Sequence, residues 1–141
     1  MRVALMNEIY SEIILDLYKN PLNKGHLINP NLVVQGGNPS CGDQAVFELS
    51  INNSKIDGIK FSGFGCAISI ASESILTELV KGKKVSEAIN LTEKDLLESL
   101  GGVIQTRIKC AALGLRILRE ALKKFDSEKP SQRLVVTGLI V

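Results

Sequence analysis

Cys41, Cys66 and Cys110 are the only cysteines in a chain of 141 residues, and each stands beside residues suited to metal chemistry. Cys41 opens the run Cys41-Gly42-Asp43. There the glycine lets the backbone turn close to an ion, and a thiolate and a carboxylate one residue apart can face the same point. Cys66 closes Gly63-Phe64-Gly65-Cys66, where a strand pattern gives way to a helix pattern, and Cys110 follows Lys109 at the start of another helical stretch. Both lie at predicted helix N-termini, where unpaired N–H groups and the positive end of the dipole favour a thiolate. Three thiolates and Asp43 make a four-ligand set. A tetrahedral zinc takes four ligands, and so does a [2Fe–2S] core, two per iron. Asp43 is the hard member of a soft set, a weaker and more exchangeable donor than a fourth thiolate. Lys109 adds a charge that offsets the negative ligands and is expected to lower the pKa of Cys110. Such a site suits cargo that is held and then let go, with zinc and [2Fe–2S] both open.

The ligands come from a loop, a strand-to-helix corner and a helix start, so the elements between them must fold back on one end of a sheet. Leu5, Ile9, Ile13 and Leu17, with Tyr10 and Ile14, recur at helical spacing up to Asn20-Pro21. Residues 20–31 carry Pro21, Gly25 and Pro30 and read as an extended connector. A short strand over Leu32–Gln35 leads into the turn-rich Gly36-Gly37-Asn38-Pro39. Phe47, Leu49 and Ile51 then alternate with polar residues as a half-buried strand, and Ile56–Phe64 returns as its hairpin partner. After Cys66 the period becomes helical, with Ile68, Ala71, Ile75 and Leu79 as the apolar stripe and Glu73 and Glu78 off it. Val85–Ile89 and Thr92–Leu100 read as short helices, the second with a capping pattern at Thr92. Gly101-Gly102 breaks the chain before a strong helix over Ile108–Phe125. The expected fold is α+β: a small antiparallel three-stranded sheet with an N-terminal helix and several C-terminal helices packed on it. The domain is expected to span 1–126, followed by a linker and an apolar, β-prone tail over 127–141. Arg133 to Val141 must be covered by something, either at the edge of its own sheet or in a neighbouring subunit, which leaves a homodimer open.

The bulk numbers exclude several classes. Seventeen basic against fifteen acidic residues give a net charge of +2, with no footprint for nucleic acid. No apolar run approaches the roughly 18 residues of a membrane span. The first residues lack the pattern of a signal peptide. An odd cysteine count then argues for free thiols in a reducing compartment, so a cytoplasmic location is expected. His26, the only histidine, sits in the connector and reads as a loop residue rather than a ligand.

Taken together, several runs resemble the IscU/NifU-type scaffold proteins on which iron–sulfur clusters are built. They include Tyr10-Ser11-Glu12, Tyr18-Lys19-Asn20-Pro21-Leu22-Asn23-Lys24-Gly25 and Pro39-Ser40-Cys41-Gly42-Asp43. Gly65-Cys66-Ala67-Ile68-Ser69-Ile70-Ala71-Ser72, Val80-Lys81-Gly82-Lys83 and Lys109-Cys110 complete the set. The resemblance implies that Cys41, Asp43, Cys66 and Cys110 hold the cluster and that the aspartate makes it labile. It also implies a non-enzymatic scaffold that takes persulfide sulfur from a cysteine desulfurase, with Cys110 as first acceptor, and hands a [2Fe–2S] cluster to apoproteins. Two features depart from the IscU pattern. Lys109 stands where those members carry histidine, as in the SufU branch, whose members hold zinc and accept sulfur from a desulfurase. The segment inserted in that branch is missing from the Cys66–Cys110 interval. The Leu-Pro-Pro-Val-Lys motif that engages a dedicated Hsp70 is replaced by Val103-Ile104-Gln105-Thr106-Arg107.

Overall fold

The computed structural model of the chain describes residues 11–40 and 42–141. The start of the expected first helix and Cys41 lie outside the described residues. Within them, α1 spans Glu12–Lys19, capped by Ser11, whose hydroxyl accepts from the Ile14 amide. Its inner face is Ile14 and Leu17, while Ile13, expected on the same stripe, points out and is 45% exposed.

Three strands follow: β1 (Leu32–Asn38), β2 (Asp43–Asn52) and β3 (Lys55–Phe64). β1 and β2 pair antiparallel from Leu32↔Leu49 to Asn38↔Asp43, and β2 and β3 pair antiparallel with Phe47 opposite Phe61 and Leu49 opposite Ile59. Because side chains alternate across a strand, Asp43, Ala45, Phe47, Leu49 and Ile51 all point to the buried face. Asp43 thus begins the row that ends in the core.

The helices cover that face. α2 (Ala67–Val80) leaves the sheet immediately after Cys66, then come α3 (Val85–Ile89), α4 (Glu93–Ser99) and the long α5 (Ile108–Glu128). The Thr92–Asp95 capping box forms as expected: the Asp95 amide donates to Thr92 Oγ and the Thr92 amide to the Asp95 carboxylate. α2 lies between α1 on one side and α5 on the other. It is buried nearly all round rather than along a stripe, and Ser69, Ser72, Glu73, Ser74 and Thr77 are all inside.

The sheet differs from the expected one. It has four strands in the order β3-β2-β1-β4, and β4 (Leu134–Ile140) lies parallel to β1, so the sheet is mixed. The alternation that marks an antiparallel hairpin carries no signal for a strand that returns after a 21-residue helix. One face of the apolar tail is covered within its own chain, where Val136 is buried and Leu134, Leu139 and Val141 pack against the main core, while Val135 and Ile140 stay exposed. Gly36 makes this possible. A Cβ there would sit 2.8 Å from the Leu139 carbonyl oxygen and 2.9 Å from a side-chain carbon of Ile117 on α5. A side chain at 36 would therefore hold β4 away from β1.

Candidate metal centre

The strands and helices bring three expected ligands together at one end of the sheet. Asp43 opens β2, Cys66 is the N-cap of α2, and Cys110 lies in the first turn of α5. One donor atom from each lies within 4.8 Å of the others. Asp43 is buried, and the two cysteines are half-buried, so the cluster of donors has one sheltered side and one open side. Cys41, the remaining expected ligand, falls outside the described residues, although its neighbour Gly42 donates its amide to the Asn38 carbonyl and turns the loop back to β2.

Local sequence explains each placement. Cys66 keeps an extended backbone (φ −71°, ψ 170°) as the last residue before the helix, and its carbonyl accepts from the Ile70 amide. Gly65 lets Asp43 in: a Cβ at 65 would stand 2.9 Å from Asp43 Oδ1. The 3-10 turn Gln105–Arg107 feeds α5 so that Cys110 faces the corner.

Ser69, one turn along α2 from Cys66, touches all three. Its hydroxyl donates to Asp43 Oδ2. It lies 3.4 Å from Cys66 Sγ and 3.4 Å from the Cys110 carbonyl oxygen. The residues alone gave it no role, because a serine inside an apolar helix pattern carries no sign of what it faces.

Electrostatics correct one expectation. Lys109 and the helix start were expected to lower the Cys110 pKa. Instead burial, then the charge and hydrogen bond of Cys66, push the Cys110 thiol up to about 11, against a lowering hydrogen bond from Arg107 and with a further upward push from Asp43. Lys109 points to solvent. Cys66 and Asp43 disfavour negative charge on Cys110, which a cation between the three would reverse.

Glu73 was expected off the apolar stripe, yet it is 1% exposed and neither carboxylate oxygen has a hydrogen-bond partner among the described residues. It lies one turn deeper than Ser69, in space left by Gly114, where a Cβ would come 2.9 Å from Glu73 Cγ. Burial first, then Asp43 and Cys66, hold its carboxyl well above the ordinary range, opposed by Lys24. His26 behaves as a loop residue. Its Nδ1 lies 2.6 Å from Glu48 Oε2 on the opposite side of β2, and it pins the connector to the sheet.

A sheet end capped by two helix starts, with thiols and a carboxylate at the seam, defines a small α+β domain with a candidate metal site. The NifU-like N-terminal domain family matches residues 9–132, and the chain belongs to that family. The chain is 46% identical over 118 residues to the iron–sulfur cluster assembly scaffold protein IscU of Aquifex aeolicus, covering 82% of this chain and 75% of that one. It is 34% identical over 141 residues to the zinc-dependent sulfurtransferase SufU of Bacillus subtilis, covering 87% of this chain and 95% of that one. Among solved structures it is similar to a candidate scaffold protein for the SUF system from Fervidobacterium islandicum AW-1. That match has a TM-score of 0.69 and 31% identity over 82% of this chain and 98% of that one. β4 lies beyond the family match, which ends at residue 132. Among the described residues no helix is long and apolar enough to cross a membrane.

Proposed function

We propose that the chain is an iron–sulfur cluster assembly scaffold, a carrier rather than an enzyme, that builds a [2Fe–2S] cluster and passes it to apoproteins. The observation that carries the reading is the convergence of Asp43, Cys66 and Cys110 from three separate elements to within 4.8 Å. Cys41, from the loop that ends at Asp43, completes the ligand set. A soft set with one hard member holds a cluster and also releases it.

Sulfur would arrive as the persulfide of a cysteine desulfurase. Cys110 takes it as a thiolate: it attacks the terminal sulfur, the sulfur–sulfur bond of the donor breaks, and the donor cysteine leaves as a thiolate. The raised Cys110 pKa means that the metal-free protein holds this residue mainly as a thiol at neutral pH. A bound cation would release that proton, since metal ligation requires the thiolate. The half-buried side chains of Cys66 and Cys110 leave the approach from the helix starts open. Exposed Ile13 on α1 and Ile104 ahead of α5 offer a partner apolar contacts near the helix starts.

Anaerobic reconstitution with iron, a cysteine desulfurase and free cysteine tests the reading. The parent should develop the visible absorption of a [2Fe–2S] centre, and serine variants at Cys41, Cys66 and Cys110 should each lose most of it. Full reconstitution of all three variants would refute the ligand set.

A second reading has its own support: a zinc-holding sulfurtransferase partner of the desulfurase, favoured by the Lys109-Cys110 pair and by the likeness to the Bacillus subtilis protein. Metal analysis of protein purified without oxygen separates the two. One zinc per chain without inorganic sulfide, together with strong stimulation of desulfurase turnover, would establish the second.

A further inference from the structure

Ser69 is fully buried at the point where the three donors meet, and its single hydroxyl proton has a choice of acceptors. Around it stand Asp43 Oδ2, Cys66 Sγ at 3.4 Å and the Cys110 carbonyl at 3.4 Å. The proton goes to Asp43. The other carboxylate oxygen, Oδ1, is backed by Gly65, whose missing Cβ would stand 2.9 Å away. The carboxylate is thus fixed from two sides, by a donor on one oxygen and a close backbone on the other. Cys66 makes no side-chain capping bond at its helix start, and Cys110 has its hydrogen bonds with Cys66 and Arg107.

We propose that Ser69 is the positioning residue of the metal centre: its hydroxyl aims the Asp43 carboxylate at the cargo and so sets how well the one hard ligand competes with solvent. The inference rests on the metal-binding reading above. The physical reason is an asymmetry among the ligands. Thiolates bind soft metals strongly wherever they reach them, whereas a lone carboxylate in a soft site gains from being held in place. Groups that orient a metal ligand typically contribute about 10–100-fold in affinity.

Ser72 supplies an internal control. It lies on the same helix and the same α2–α5 seam, and its hydroxyl donates to the Ala111 carbonyl, away from the three donors. If Ser69 only stitched the two helices together, the two serines would be equivalent.

Cobalt(II), added to the full chain without oxygen, gives a direct probe through its sulfur-to-cobalt charge-transfer absorption and its coordination-sensitive visible bands. Ser69→Ala should bind cobalt about 10–100-fold more weakly than the parent, with altered visible bands. Ser72→Ala should bind like the parent while lowering the melting temperature to a similar extent. In an Asp43→Ala background, Ser69→Ala should cause no further loss, because its effect runs through that carboxylate. Unchanged affinity in Ser69→Ala, or additive losses in the double variant, would overturn the inference while leaving the metal site intact. A parent with no charge-transfer absorption would overturn the site reading itself. Alanine is favourable within a helix, so Ser69→Ala should fold, and the thermal melts record this directly.

Discussion

Glu73 is the residue with the clearest consequence for stability. Its carboxyl is buried, has no hydrogen-bond partner among the described residues, and is held well above its ordinary value of 4.5, first by burial and then by Asp43 and Cys66. An acid whose folded pKa exceeds its unfolded one binds its proton more tightly when folded. Its stabilising contribution is therefore complete below the unfolded value and is lost as pH rises toward the folded one. The metal-free parent should lose stability steadily upward from about pH 5, whereas Glu73→Gln should show a flatter profile in urea titrations across the same range. Matching slopes would show that Glu73 does not keep its proton. Cys110 offers a second check. Because Cys66 raises the Cys110 pKa through its charge and a hydrogen bond, Cys66→Ser should lower it from about 11, seen as faster alkylation of Cys110 near neutral pH. Asp43→Ala addresses handover: with only thiolates left, a reconstituted cluster should persist longer and move more slowly to an apo-ferredoxin. Faster transfer would remove Asp43 as the ligand that makes the cluster labile.

At the scale of elements, the parallel strand β4 depends on a residue in a different strand. Gly36 lets β1 approach both Leu139 and Ile117, at 2.8 Å and 2.9 Å from where a Cβ would be. Gly36→Val should push the end of β4 off the sheet, with a loss of about 1–3 kcal/mol in urea denaturation, the usual cost of overpacking a filled site. Amide exchange of residues 135–140 should accelerate in the same variant. β1–β2 amides near Leu32 and Leu49, paired through the antiparallel register, should stay protected. Uniform acceleration would mean that β4 and the central sheet open as one unit. The central helix α2 behaves differently. Buried against α1 on one side and α5 on the other, it carries serines, a threonine and a glutamate inside. The hydroxyls of Ser72 and Thr77 are satisfied by donating to backbone carbonyls, and the Glu73 carboxyl is not satisfied among the described residues.

For the molecule as a whole, the core and the metal centre are separable. The main core runs from Leu32 and Phe47 through Leu76 and Leu115 to Leu122 and includes none of the three donors, while a smaller cluster of Ile14, Leu17, Ile68, Ala71, Leu100 and Ala111 packs next to Cys66 and Cys110. Chelation should therefore leave a folded protein, with far-UV circular dichroism retained and only the melting temperature lowered. Complete unfolding on chelation would make the metal a structural staple instead. Deleting residues 131–141 should bare the β1 edge at Leu32 and Val34, both now fully buried. The shortened chain should melt earlier and associate more readily by light scattering, since an unpaired apolar edge invites strand pairing.

The candidate donors Asp43, Cys66 and Cys110, the hairpin, the Thr92 cap and the long final helix are legible in the residues, because each rests on local chemistry: ligand type, alternation, capping and period. Cys66 at a strand-to-helix corner could be placed from pattern alone, whereas Asp43, expected in the loop with Cys41, is the first residue of β2. The tertiary structure decided what depends on contacts distant in sequence. β4 joins β1 as a parallel partner across a long helix, and only the packing of Gly36 against Leu139 and Ile117 shows that it can. Ser69 and Glu73 look alike in sequence, as polar interruptions of an apolar helix. The fold turns one toward the donors and buries the other in the space beside Gly114. The direction of the Cys110 pKa shift, opposite to the one expected from Lys109, is decided by the fold for the same reason. A neighbouring lysine in sequence points to solvent, while burial and a second thiol, 44 residues earlier, govern the charge.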